Sequence, residues 1–129
     1  MPEASSFDYA VIRVVPRVER EEFMNVGVIL FCRSLRFLDI RTHVNHSRLK
    51  AFAEGINLDR VAAELDLMIR ICRGEANSGP IGQQIQAERF HWLTAPRSTT
   101  VQISAVHCGI CTQPQATLDS LFEQMVVSV

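Results

Sequence analysis

Residues 7–32 read FDYAVIRVVPRVEREEFMNVGVILFC, and this stretch decides the fold. Phe7 to Val15 is dense in β-branched and aromatic residues, and Pro16 closes it by removing a backbone donor. That is the signature of a strand. Phe23 to Cys32 is apolar at both alternating sets of positions, which predicts a strand covered on both faces. Pro16 to Glu22 between them is polar and charged, a connection with room for a helical turn. Arg33-Ser34 is short enough for a tight hairpin turn, so Leu35 to Arg41 (LRFLDIR) becomes a third strand. The three runs form a β-meander.

Beyond the meander the period changes from two to that of a helix. Ser47 is placed to cap a short helix carrying Leu49, Phe52 and Ala53, with Gly55 ending it. Asn57 is placed to cap a second, on which Leu58, Val61, Ala62, Leu65, Ile69 and Cys72 recur at helical spacing. Asp59 suits the positive end of its dipole, and Gly74 suits its C-terminus. A loop over 74–80 leads to a third helix predicted over Ile81 to Leu93 and stopped at Ala95-Pro96. Thr99 to Ser104 reads as a fourth strand, and Ala105 to Gln113 as irregular. Pro114 then opens a last helix with the stripe Leu118, Leu121, Phe122 and Met125. The order βββ-ααα-β-α predicts an α+β domain: a mainly antiparallel sheet, with the N-terminal meander plus one later strand, packed with about four helices.

The chain has 129 residues, one ordinary domain's length, with 47% hydrophobic and 21% charged residues, a globular balance. Residues 1–6 are expected to be disordered. They show no basic stretch followed by an apolar one, and no apolar run approaches the roughly 20 residues a membrane helix needs, so the cytoplasm is the expected location. Net charge is −1, from 13 basic and 14 acidic residues, which argues against a dedicated nucleic-acid binder. The one locally basic segment runs from Arg33 to Lys50, with Arg36, Arg41, His43, His46 and Arg48 inside it and Asp39 its only acid. It supports weak nucleic-acid binding as a minor alternative, and the plainer reading is a solvated strand and helix.

His107-Cys108-Gly109-Ile110-Cys111 is the most metal-like segment. A structural zinc site needs four ligands, and no second ligand pair accompanies Cys108, Cys111 and His107. A redox dithiol needs its first cysteine at a helix N-terminus, whereas Thr112, Gln113 and Pro114 stand between the pair and the helix. The two are read as incidental thiols, and Cys32 and Cys72 as small buried hydrophobes. Glu19, Glu21 and Glu22 read as a solvated acidic surface. Ser98, Ser104 and His107 invite a hydrolase reading, but no Gly-x-Ser-x-Gly turn is present. Neither phosphate-binding glycine motif is present, and no cofactor is implied. Arg13 and Asn25 are polar residues in apolar strands, in phase with Phe7, Tyr9 and Val11 and with Gly27, Ile29 and Phe31 respectively. Gly27 in mid-strand points to a bulge or a close backbone approach.

Tyr9-Ala10-Val11-Ile12-Arg13 followed by Pro16, then Glu22-Phe23-x-Asn25-Val26-Gly27-Val28, resembles the opening signature of an uncharacterised bacterial family, domain of unknown function 3037. Arg89-Phe90-x-Trp92-Leu93-Thr94-x-Pro96-Arg97-Ser98 resembles its second signature, and His107-x-Gly109 with the Leu118–Val126 helix its C-terminal part. The resemblance spans nearly the whole chain and implies one complete family domain without an assigned activity. It also implies a neighbouring kinase-like protein as a partner. The matching polar positions, Arg13, Glu22, Asn25, Arg97, Ser98 and His107, form the candidate polar site. The expectation is a non-catalytic accessory or protein-interaction domain, partnered by another protein or by itself. The alternative is an enzyme or small anionic-ligand binder in which Arg13 and Arg97 hold the anion and His107 acts as acid or base.

Overall fold

The computed structural model describes residues 3–128. Among them, five strands form one antiparallel sheet: β1 (Ser5–Val14), β2 (Met24–Cys32), β3 (Phe37–Thr42), β4 (Val101–Ile103) and β5 (His107–Cys111). The helices are α1 (His46–Phe52), α2 (Leu58–Cys72), α3 (Gly79–Gly82), α4 (Gln86–Leu93) and α5 (Pro114–Phe122). A 3-10 turn spans Val18–Arg20, and α5 runs on into a π-helical turn over Glu123–Val127. The fold is α+β, as expected.

The order across the sheet is β3-β2-β1, and the far edge of β1 is shared. β4 pairs with its C-terminal half through Ile12–Ile103 and Val14–Val101, and β5 with its N-terminal half through Tyr9–His107 and Ser5–Cys111. Ser104 spans the gap, giving its N–H to Val11 O at 2.9 Å and accepting the Val11 N–H on its Oγ at 2.8 Å. Ser5 and Ser6, expected in a disordered terminus, are part of β1; Met1 and Pro2 lie outside the described residues.

Both faces of the sheet are covered. Ala10, Ile12, Val14, Ile29 and Ile40 meet α1, α2 and α4 through Leu49, Leu65, Met68 and Leu93. On the other face Phe7, Val28, Leu30 and Cys32 meet α5 and the π-turn through Leu118, Phe122 and Val126. Each such fully buried side chain is worth roughly 1.5–3 kcal/mol. β2 feeds both cores along its length, Val26, Ile29 and Phe31 on one face and Val28, Leu30 and Cys32 on the other, which is why its sequence shows no alternation.

Asn57 caps α2, its Oδ1 accepting the Arg60 N–H at 3.1 Å, and Gly74 follows the helix at φ 64°. Four expectations are corrected. The hairpin between β2 and β3 is a four-residue turn over 33–36 with Arg36 at φ 52°. The cap of α1 is Asn45, whose Oδ1 accepts from Arg48 N at 3.0 Å, because it, not Ser47, precedes the first turn. The single helix predicted over Ile81 to Leu93 is two, because Ile85 is extended (ψ 161°) between α3 and α4. Residues 107–111, expected to be irregular, form β5. Gly109 there lies beneath the Phe7 ring, where a β-carbon would sit 2.5 Å from Cζ.

Candidate functional site

The β1–β2 register brings two of the six candidate residues together. Ile12 opposes Gly27, yet Arg13 opposes Asn25, so Val26 is an extra residue on β2, a β-bulge. Gly27 beside it also permits the close approach of β3: a β-carbon there would lie 2.9 Å from Arg41 O. Val26 joins the core under α2, and Asn25 turns to the opposite face, where its Nδ2 donates to Met125 O in the π-turn at 3.0 Å. The expectation that Asn25 keeps phase with Gly27, Ile29 and Phe31 is therefore corrected by the bulge.

Arg13 alternates with Ile12 and Val14 and so shares the Asn25 face. Its guanidinium lies 3.9 Å over the ring of Phe23, which is 46% exposed. Burial lowers the Arg13 pKa. Arg13 Nε and Asn25 Oδ1 are buried with no hydrogen-bond partner among the described residues. An orphaned buried polar atom costs about 1–3 kcal/mol, so two of them side by side mark a locally unsatisfied site.

The other candidates lie elsewhere. Arg97 serves α4: its Nη2 donates to Trp92 O at 2.9 Å and Leu93 O at 3.2 Å, the carbonyls of the last helical turn. Its guanidinium lies 5.1 Å from the Trp92 ring, and burial lowers its pKa while Glu64 opposes that shift. These contacts belong to the core face opposite Arg13. Ser98 is exposed in the connection to β4. His107 is exposed on β5, its ring 5.3 Å from that of Tyr9. Tyr9 precedes Arg13 by four residues, about 13 Å along the strand. Glu22 is exposed and paired with Arg20 at 2.6 Å. It lines a cleft of about 410 Å³ with Arg17, Arg20, Phe52, Glu54 and Asn57, which none of the other five candidates enters. Glu19 and Glu21 are exposed as well.

The two thiols of the Cys-x-x-Cys segment are kept apart by the strand. Three residues along a strand is an odd step, so their side chains leave opposite faces. Cys108 is exposed and donates to Asp8 Oδ1 at 3.2 Å, which raises its pKa. Cys111 is buried in the α5 core, and burial raises its pKa. Among the described residues no group of three or more histidine, cysteine or carboxylate side chains could hold a metal ion. The basic segment is likewise spread out. Arg33 and Arg36 lie in the hairpin turn, whereas His46, Arg48 and Lys50 lie on α1 past the far end of β3, about 20 Å away. Arg41 between them is paired with Asp119 at 3.0 Å and lies 4.3 Å over the Phe122 ring.

Sequence reasoning passed over Phe23 as one more strand hydrophobe. The signal that could have found it is its place at the mouth of the strand, after the charged run PRVEREE, where one ring face is left to solvent. Among the described residues no helix is long and apolar enough to cross a membrane. No curated protein and no solved structure matches the chain. A family model described as Protein of unknown function (DUF3037) matches residues 9–126, from Tyr9 in β1 to Val126 in the final turn, and the chain belongs to that family.

Proposed function

We propose that the domain is a non-catalytic accessory protein of the cytoplasm that works by binding another protein, and that it does so at the Arg13–Phe23–Asn25 end of the sheet. The observation that carries this reading is the separation of the polar candidates. Arg97 is occupied with the end of α4, His107 lies about 13 Å along the strand from Arg13, and Glu22 lines a different cleft. Anion binding and acid–base work need such groups within hydrogen-bond reach of one reacting centre, so their separation supports binding over catalysis.

The composition of the Arg13 end supports the same reading. An arginine stacked on a half-exposed aromatic ring is the kind of pair that dominates protein interfaces. The buried, unsatisfied Nε and Oδ1 beside it break the rule that buried polar groups are paired, a departure that concentrates at functional sites. The kinase-like neighbour implied by the family resemblance is the first partner to try.

The test is affinity capture of the tagged protein from its native lysate, followed by mass spectrometry. The expected result is a stoichiometric protein partner retained by the wild type and lost with Arg13→Ala and with Phe23→Ala, both variants keeping the wild-type circular dichroism and melting temperature. A partner indifferent to both substitutions would move the interface elsewhere. A small molecule carried through purification, with no protein captured, would replace this reading with ligand binding.

A further inference from the structure

The three strand edges of the sheet are treated differently. Backbone groups of a strand alternate in direction, so the known bonds of β1 fix which residues point where. Val11 exchanges bonds with Ser104, and Val15 N donates to Thr100 O at 2.7 Å. The odd-numbered residues of β1 therefore turn to the β4–β5 side. It follows that His107, Gly109 and Cys111 bond to Tyr9, Phe7 and Ser5, while Cys108 and Ile110 present their N–H and C=O groups outward.

Each of the other two edges has an outward N–H taken by a side chain. On β4 the outward Val101 N–H is taken by Glu64 Oε2 at 3.3 Å, and its carbonyl by the Thr99 hydroxyl at 2.8 Å. On β3 the outward Ile40 N–H is taken by Asp39 Oδ1 at 2.8 Å. On β5, among the described residues, no side chain accepts from Cys108 N or Ile110 N. The strand HCGIC carries no lysine, arginine, aspartate, glutamate or proline, the residues that ordinarily keep an edge from pairing. Ile110 beside these groups is 74% exposed and Val106 43%. Helix α5 packs over β2 and β3 and flanks the C-terminal end of β5, where Ala116, Thr117 and Leu121 line a shallow cleft with Ile110.

We propose that the outer edge of β5 pairs antiparallel with β5 of a second copy of this chain, about a two-fold axis at Cys108, joining two sheets into one. A second copy fits because the edge is complementary to itself. The two-fold opposes outward-facing residues with outward-facing residues, as the hydrogen-bond pattern requires. Val106 then lies opposite the partner's Ile110, so the two exposed aliphatic side chains cover each other. Cys108 lies opposite the partner's Cys108, and His107 opposite the partner's Gly109, so no like charges meet. This edge flanks the N-terminal half of β1 and the Arg13 surface lies at its C-terminal end, so the dimer leaves that surface open and does not rest on the protein-binding reading.

Sedimentation velocity over a concentration series tests it. The wild type is expected to dimerise reversibly. Ile110→Lys should raise the dimer dissociation constant by about tenfold or more with unchanged circular dichroism, since a charge on an edge is a standard block to pairing. Cys108→Pro is a second variant: it deletes an outward N–H and spares the ladder to β1, and it should weaken the dimer as well. A short bismaleimide should join two Cys108 side chains in the wild type, identified by peptide mapping. A wild type that stays monomeric throughout overturns the proposal, as does a dimer insensitive to both substitutions or one cross-linked only through other residues.

Discussion

Gly109→Ala tests whether the junction of β1, β5 and α5 is as tightly packed as its geometry indicates. The added β-carbon would lie 2.5 Å from Phe7 Cζ and 2.7 Å from Cε1, so the ring must move. Phe7 is 8% exposed and packs with Leu30, Leu118 and Phe122, which leaves it little room. Overpacking of this kind costs about 1–3 kcal/mol. Replacing a strand glycine by alanine regains roughly 0.5–1 kcal/mol of backbone entropy. A contact this short puts the overpacking in the upper half of its range, so the net expectation is a loss of about 1–2 kcal/mol, or roughly 3–8 °C in Tm for a chain of this size. Urea denaturation followed by circular dichroism measures it. Phe7→Leu alone should cost about 1–2 kcal/mol, by deleting buried ring atoms. In the double variant the smaller side chain makes room for the methyl, so the two losses should fall short of additivity by about 1 kcal/mol. A Gly109→Ala protein within about 0.3 kcal/mol of wild type, or an additive cycle, would refute the argument.

Burial raises the Cys72 thiol from 9.0 to about 12, with Asp39 adding to the shift, so the folded protein holds this proton more tightly than the unfolded chain. That contribution is fully present below about pH 9 and is lost as pH rises toward 12, at about 1.4 kcal/mol per pH unit. Urea midpoints between about pH 8 and 10.5 should fall more steeply for the wild type than for Cys72→Ala, and parallel profiles would remove Cys72 as the cause. Arg97→Met should lower stability by about 1 kcal/mol through loss of its bonds to the α4 carbonyls, seen as a reduced urea midpoint with partner capture unchanged. Loss of capture instead would return Arg97 to the functional surface. Asp8→Asn should lower the pH at which Cys108 reacts with a maleimide, because the carboxylate that holds its proton is gone; an unchanged pH profile would contradict that bond.

Much of the fold was legible because its signals are local. The absence of alternation in β2 predicted cover on both faces, and the Asn57 cap, the spacing along α2 and Pro114 at the start of α5 each follow from short-range chemistry. What was not legible depends on distant neighbours. The segment HCGIC is short, carries a glycine and has weak strand propensity, and it becomes β5 because β1 has a free edge there and Phe7 needs the space over Gly109. Ile81 and Ile85 stand in helical phase, but the extended backbone at Ile85 breaks the helix between them. The candidate site was half legible. Arg13 and Asn25 stand out as polar residues in apolar strands, whereas the roles of Arg97 at α4 and of His107 beside Tyr9 depend on tertiary placement.

The bulge at Val26 is the step that links the fold to the proposed surface. Continued from Ile12–Gly27 without interruption, the ladder would set Arg13 against Val26 and send Asn25 into the core beneath α2. An asparagine there would have to find partners among Val14, Val61 and Leu65, at a desolvation cost of about 1–3 kcal/mol for each polar group left unmade. One extra residue reverses both outcomes. Val26 fills the core, and Asn25 reaches the carbonyl of Met125 a hundred residues away, tying the π-helical turn to the strand that carries Arg13. The docking of the C-terminal helix and the presentation of Arg13 over Phe23 are thus consequences of the same irregularity. Asn25→Ala should therefore disturb both at once: stability falls by about 1–2 kcal/mol as Met125 O loses its donor, and partner capture weakens although Arg13 is untouched. Loss of stability with full retention of the partner would separate the bulge from the binding surface.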